Sequence, residues 1–193
     1  MKNKIDLPIY LASKSPRRRK LLKQINIPYR IIDVQTDEKF SDKETPLQNA
    51  KRIANEKSIA AISKNVKGIV ITADTIVVLD NKKIAKPTSK KNAVQMLKML
   101  SGLTHIVYTG YCIANTITGK RILGAEKTYV TFRELSDKEI KTYVDSGSPM
   151  DKAGAYGIQD DYGAVFVSRI KGCYYNVVGL PLSKIFQGIE KVK

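Results

Sequence analysis

Two hydrophobic periods interleave along this chain. From 68 to 79 the run Ile69-Val70-Ile71-Thr72-Ala73-Asp74-Thr75-Ile76-Val77-Val78-Leu79 is apolar almost without a break, which predicts a long strand. A turn at Asp80-Asn81 leads into a short strand at 83–85. Elsewhere the period lengthens to that of a helix. Thr45-Pro46-Leu47-Gln48 combines an N-cap, a proline at the first helical position and the last residue of a capping box. The helix it opens runs to about 62, with Leu47, Ala50, Ala54, Lys57 and Ala61 on one face. Ser136-Asp137-Lys138-Glu139 is a second capping box and predicts a helix to about 144. The same reasoning predicts strands at 5–12, 27–34, 105–114, 121–132 and 164–170, and helices at 16–25, 89–100 and 182–189. Strands and helices alternate, and several strands are separated only by turns. That points to an α/β fold with a mixed sheet flanked by helices. No repeat, low-complexity tract or linker interrupts residues 1–193, so a single domain is expected.

A few residues break this pattern. Ser15-Pro16 reads as an N-cap and first helical position, yet Arg17, Arg18, Arg19 and Lys20 fill the first turn. A helix N-terminus already carries about half a positive charge. Four cations there suit a bound anion, a phosphate above all; the alternative is a solvated basic turn. Asp74 lies inside the most apolar run, where a carboxylate must be paired, hydrogen-bonded or on a metal. It is a candidate to hold a divalent ion or to take a proton from water, against the alternative of a bend residue bonding its own backbone. Lys57 falls on the buried face of its helix and either reaches into a polar cleft or snorkels to water. Lys86 precedes Pro87 and is therefore held extended. Glu38 lies in a polar loop and becomes interesting only through its spatial neighbours. In Asp151-Lys152-Ala153-Gly154-Ala155-Tyr156-Gly157-Ile158-Gln159, two glycines frame a small-residue loop. Tyr156 there is suited to stacking and Gln159 to reading a base edge; the alternative is a glycine-rich hairpin with a core tyrosine. Asn176 to Leu182 reads as a structural loop entering a helix.

Charge enlarges the list of functions. The chain carries 34 Lys+Arg against 18 Asp+Glu, a net +16, scattered rather than gathered in a stripe. Such a field favours polyanionic ligands, with nucleic acid as the second choice. Two cysteines without Cys-x-x-Cys spacing and one histidine exclude a zinc knuckle and a histidine-rich metal site, and fit a reducing compartment. The apolar runs fall short of the ~20 residues of a membrane span, and the first residues lack a signal peptide's apolar core. A cytoplasmic location is expected.

In family order, Leu11-Ala12-Ser13-Lys14-Ser15-Pro16-Arg17-Arg18, Ala73-Asp74-Thr75, Lys86-Pro87, the loop from Asp151 to Gln159, and Val178-Gly179-Leu180-Pro181 together resemble the Maf-like, septum-formation-inhibitor-related nucleoside triphosphate pyrophosphatases. The resemblance spans nearly the whole chain. It implies two lobes around an elongated mixed sheet, similar to the inosine triphosphate pyrophosphatases, with a cleft between the lobes and commonly a homodimer. It implies hydrolysis of a nucleoside triphosphate to the monophosphate and pyrophosphate with Mg²⁺ or Mn²⁺, in nucleotide house-cleaning and in some members linked to septum formation. Carried over by position, Asp74 is the expected proton acceptor, and Ser13, Arg17, Lys57 and Lys86 the expected phosphate contacts, Lys57 and Lys86 acting in catalysis. Arg18, Thr75 and Gln159 are the expected base-choice positions, and Glu38 with Asp74 the expected metal contacts. The Gly-Ala-Tyr-Gly-Ile-Gln loop is similar to the dTTP/UTP branch, with modified pyrimidine nucleotides as further candidate substrates. Ala85, Asp160 and Cys173 depart from the pattern, and Asp160 bears on base selectivity. Two alternatives remain: a nucleic-acid-binding protein using its basic surface, and a relative acting on purine or alkylated nucleotides.

Overall fold

A computed structural model describes residues 7–159 and 161–193. The elements in chain order are strand Ile9–Leu11 (β1), helix Pro16–Gln24 (α1), strand Arg30–Ile31 (β2), helix Pro46–Ile62 (α2), strands Ile69–Leu79 (β3) and Lys82–Ile84 (β4), and helix Lys90–Leu100 (α3). Strands Thr104–Asn115 (β5) and Arg121–Phe132 (β6) follow, then helices Asp137–Asp145 (α4) and Asp161–Phe166 (α5), strand Val167–Lys171 (β7), and helices Tyr174–Val178 (α6) and Leu182–Val192 (α7). The sheet runs β2-β1-β3-β5-β6-β7, with β4 beside β3. β1 pairs in parallel with β2 and β3, while β3–β4 and β6–β7 are antiparallel. The expected mixed α/β sheet is therefore present.

The chain forms two compact units. The first comprises residues up to Asp74, with Thr109–Glu126 and Gly179–Lys193; the second comprises Thr75–Tyr108 and Lys127–Val178. In the first, Ile69, Val70 and Ile71 of β3 are fully buried, as are Ala50, Ile53, Ala54 and Ala61 of α2. A Cβ on Gly110 would lie 2.0 Å from the Ala50 carbonyl oxygen, so this glycine lets α2 press its backbone onto β5. The Thr72 hydroxyl, 2.6 Å from the Ala54 carbonyl, ties β3 to the same helix. In the second unit, β3 turns into β4 through Asp80 and Asn81, both at positive φ (47° and 61°), as a two-residue hairpin requires. His105, Phe132, Tyr143, Tyr156 and Phe166 pack edge to face there, with successive centroids 4.7–6.0 Å apart.

Helix starts match the sequence expectations closely, because caps are local chemistry. Thr45 and Ser136 form the two capping boxes, and Ser15 caps α1. Five expectations need correction. Asn176, Val177 and Val178, read as part of a loop, are the end of α6. Residues 27–34 yield only the two-residue β2, since pairing with β1 stops at Ile31. Residues 164–170 split: Ala164, Val165 and Phe166 finish α5, and the strand begins at Val167, where pairing with Phe132 starts. A short apolar run carries no period of its own, and packing decides. Leu47 is 36% exposed, unlike Ala50, Ala54, Lys57 and Ala61 on its expected face, because it lies in the first turn of α2. The loop from Asp151 holds two 3₁₀ turns, Ser148–Asp151 and Ala153–Ala155, rather than a hairpin; its Tyr156 is nevertheless a core tyrosine. The start of the expected first strand and Asp160 lie outside the described residues.

Candidate functional site

Six of the expected residues belong to the first unit: Ser13, Arg17, Arg18, Glu38, Lys57 and Asp74. β3 carries Asp74, and the two-residue period of a strand places it on the same face as Thr72, which is bonded to α2. One turn beyond Ala54 on that helix, Lys57 meets it. The Lys57 ammonium donates to Asp74 Oδ1 at 2.8 Å and pairs with Glu38 Oε1 at 2.8 Å. Lys57 and Asp74 are only 7% and 8% exposed. The lysine is thus paired rather than snorkelling to water, and the aspartate is paired through its side chain. Removing one partner of such a buried pair costs about 3 kcal/mol or more, because a charge is left without compensation. The Glu38 side chain, 54% exposed, is a solvent-facing partner of smaller energetic weight.

A second group is built on the start of α1. The Ser15 hydroxyl accepts from the Arg18 backbone N–H, and no acidic residue lies in the first turn. Arg18 is buried. Its Nε donates to the Gly179 carbonyl at 2.7 Å and its Nη1 to Ser13 Oγ at 3.2 Å. Ser13 Oγ also accepts from the Ser15 N–H at 3.2 Å. Burial pushes the Arg18 guanidinium down from its usual pKa, while Asp74 and Glu38 pull it up, so the two groups sense each other electrostatically. Arg18 stays charged regardless, as guanidinium does in proteins. Arg17 is half-buried and Lys20 exposed. Arg19 is also half-buried, and its Nε has no partner among the described residues. The segment after Asn176 does more than connect: Gly179, at φ +118°, delivers the carbonyl that holds Arg18.

The remaining candidates belong to the second unit. Thr75 follows Asp74 on β3, and strand alternation directs it to the opposite face. Lys86 is exposed, just past β4. Both amide atoms of Gln159 are buried without a hydrogen-bond partner among the described residues. A buried amide left unsatisfied costs about 1–3 kcal/mol and calls for an explanation, of which a bound ligand is one. Two neighbours of this segment escaped the sequence reading. Tyr143 Oη accepts the Gly157 N–H at 3.3 Å, and His105 Nε2 lies 2.8 Å from Tyr156 Oη. The available signal for His105 was its inward register on β5 with Val107 and Thr109.

Among the described residues no cluster of three or more His, Cys, Asp or Glu side chains is gathered to hold a metal, and no helix is long and apolar enough to cross a membrane. Glu38 and Asp74 nevertheless converge on one cation, the Lys57 ammonium. One or two carboxylates completed by phosphate oxygens is the usual arrangement for Mg²⁺, so Glu38 and Asp74 are the residues here that could hold one.

Known proteins bear on this arrangement. The chain is 47% identical over 176 residues to the dTTP/UTP pyrophosphatase of Syntrophomonas wolfei, covering 91% of this chain and 93% of the relative. It is 42% identical over 183 residues to the protein of that name from Desulforamulus reducens, covering 95% of each. A third so named, from Clostridium perfringens, is 42% identical over 186 residues, covering 95% of this chain and 96% of the relative. The Maf-like protein family matches residues 8–192, and the chain belongs to that family.

Proposed function

We propose that this protein hydrolyses dTTP and UTP to the nucleoside monophosphate and pyrophosphate, using a divalent cation. The relatives' shared name supports the substrate class. The observation that carries the chemistry is the convergence of Asp74 and Glu38 on Lys57 inside the first unit.

In this reading Asp74 accepts the proton of the attacking water. Its carboxylate is dehydrated by burial and pre-oriented by Lys57, so little reorganisation is needed at the moment of reaction. Water adds at phosphorus, its proton passes to Asp74, and the bond between the α-phosphate and the bridging oxygen of pyrophosphate breaks. Lys57, Arg17 and Lys86 balance a triphosphate that brings about four negative charges; hydrolysis of this kind depends mainly on positioning and charge stabilisation. Arg18, anchored through Ser13 and Gly179, keeps the start of α1 in place as well as contributing charge. Glu38 and Asp74 would hold a divalent ion, which would supply further charge neutralisation at the phosphates. The Gln159 amide has one donor and one acceptor side, which match a carbonyl and the N3–H of thymine or uracil. Thr75 and Arg18 complete the base-choice set carried over from the family pattern. The reading extends to a cytoplasmic homodimer, which sedimentation of the purified protein and fractionation of cells would test.

The decisive experiment measures pyrophosphate release from dTTP, UTP, CTP, GTP and ATP with Mg²⁺, for the unaltered protein and for Asp74→Asn. The expected result is preference for dTTP and UTP and a loss of about 10³-fold in Asp74→Asn with the fold retained. Unchanged turnover in that variant overturns the mechanism. Preference for a purine nucleotide replaces the substrate. The net charge of +16 favours a second reading, nucleic-acid binding. Steeply salt-dependent DNA binding without any pyrophosphate release would select it.

A further inference from the structure

We infer that Tyr143 and His105 are positioning residues for Gln159, and that base selectivity depends on their two hydrogen bonds to the segment Tyr156–Gly157. The inference rests on the base-reading role proposed for Gln159.

The segment from Tyr156 to Gln159 has neither helix nor strand to fix it. Its Gln159 amide is buried without a partner among the described residues, so the amide does not hold itself in place. Two side chains hold the backbone instead. The Tyr143 hydroxyl accepts the Gly157 N–H at 3.3 Å, and Tyr156 Oη is bonded to His105 Nε2 at 2.8 Å. Both holders are fixed by rings. Phe132 lies edge-on to His105 at 5.0 Å and to Tyr156 at 4.7 Å, and Phe166 lies edge-on to Tyr143 at 5.2 Å. On the far side α5 closes in. A Cβ at Gly163 would fall 2.5 Å from the Gly157 carbonyl oxygen and 3.0 Å from Tyr143 Oη. The short loop carrying Gln159 is thus pinched where Gly157 and Gly163 meet, with Tyr143 on the pinch.

His105 has no other employment in the reaction. It is fully buried, and burial lowers its pKa to about 4. Burial also pushes the Tyr156 phenol up. Both groups are neutral at ordinary pH, so their bond is insensitive to pH there, as a positioning contact should be. The need for positioning is chemical. A glutamine amide turned by 180° presents its donor and acceptor in the order that cytosine accepts. Discrimination of uracil and thymine from cytosine therefore depends on where the Gln159 backbone places the amide as much as on the presence of an amide.

The test compares kcat and KM for dTTP and CTP in the full chain and in Gln159→Leu, Tyr143→Phe, His105→Leu and His105→Gln. Tyr143→Phe keeps the ring in its aromatic setting, and His105→Gln returns a polar atom near the position of Nε2. The expected result is a higher KM for dTTP, near-normal kcat, and a dTTP-to-CTP ratio of kcat/KM reduced about tenfold in Tyr143→Phe and His105→Leu, with recovery in His105→Gln. A purely structural role would lower the thermal midpoint and the active fraction equally for both nucleotides and leave the ratio intact. An intact ratio in Tyr143→Phe and His105→Leu, with Gln159→Leu losing selectivity, overturns the positioning role alone. Unchanged selectivity in Gln159→Leu overturns the base-reading role and this inference with it.

Discussion

The polar groups around Asp74 in the first unit and those behind Gln159 in the second are handled in opposite ways. In the first, Lys57, Asp74 and Arg18 are buried as charges, each matched by an opposite charge or a carbonyl at 2.7–2.8 Å. In the second, Lys152 is also buried as a charge beside Asp151, but the polar groups that hold the Gln159 loop, His105 and Tyr156, are neutral in a cage of aromatic edges. Phosphate chemistry needs fixed charge in a dry setting, whereas reading a base needs neutral donors and acceptors in a fixed place. Paired charges are sensitive to loss of one partner; the neutral network is sensitive to loss of shape and to acid.

The largest effect expected is on turnover. Asp74→Asn keeps the side chain's shape, removes the proposed proton acceptor and is expected to lower pyrophosphate release about 10³-fold, checked by stopped assays at saturating dTTP. Next comes Lys57→Met, which leaves Asp74 buried and uncompensated. It is expected to lower unfolding stability in urea by about 3 kcal/mol and to reduce turnover less than Asp74→Asn does. The double variant Lys57→Met, Asp74→Asn should recover much of that stability, and failure to do so would show that the pair is not the source. Third is an acid effect located in the neutral unit. The pKa of His105 is lowered to about 4 in the folded protein from 6.5, so the folded state binds fewer protons than the unfolded chain between these values. Its contribution to stability is complete above pH 6.5 and is lost as pH falls towards 4, by about 3 kcal/mol in total. His105→Gln should flatten that part of the stability–pH curve; an unchanged slope would locate the acid sensitivity elsewhere. The smallest effect belongs to Glu38→Gln. Its side chain faces solvent, so urea stability should move by less than about 1 kcal/mol, while Mn²⁺ affinity measured by electron paramagnetic resonance with dTTP present should fall. Equal stability losses in Glu38→Gln and Lys57→Met would erase the distinction between the buried and exposed halves of the Lys57 cluster.

Much of the charged unit was readable in one dimension. Asp74 interrupts the most apolar strand of the chain, and Lys57 sits at a buried position of a well-capped helix, so each advertises itself as an exception to its own local period. The Ser15 cap and the basic turn are likewise local. The neutral unit was harder to read. Tyr143 follows the pattern of its helix, and His105 the pattern of its strand, so neither looks exceptional. Their partners, Gly157 and Tyr156, are 14 and 51 residues away. The split of 164–170 into helix and strand and the shortness of β2 were undetermined for the same reason: pairing partners decide them.

The sequence by itself determined where the capped helices begin, which apolar run forms a long buried strand, and which carboxylate and lysine stand against their surroundings, because caps and periods act over a few residues. The tertiary structure alone decided that Lys57 bridges Asp74 and Glu38, that Gly179 holds Arg18, and that Tyr143 and His105 hold the loop of Gln159. Those contacts depend on how far apart in sequence two groups are when folding brings them within 3 Å or so, and hydrogen bonds and ion pairs act only at that range.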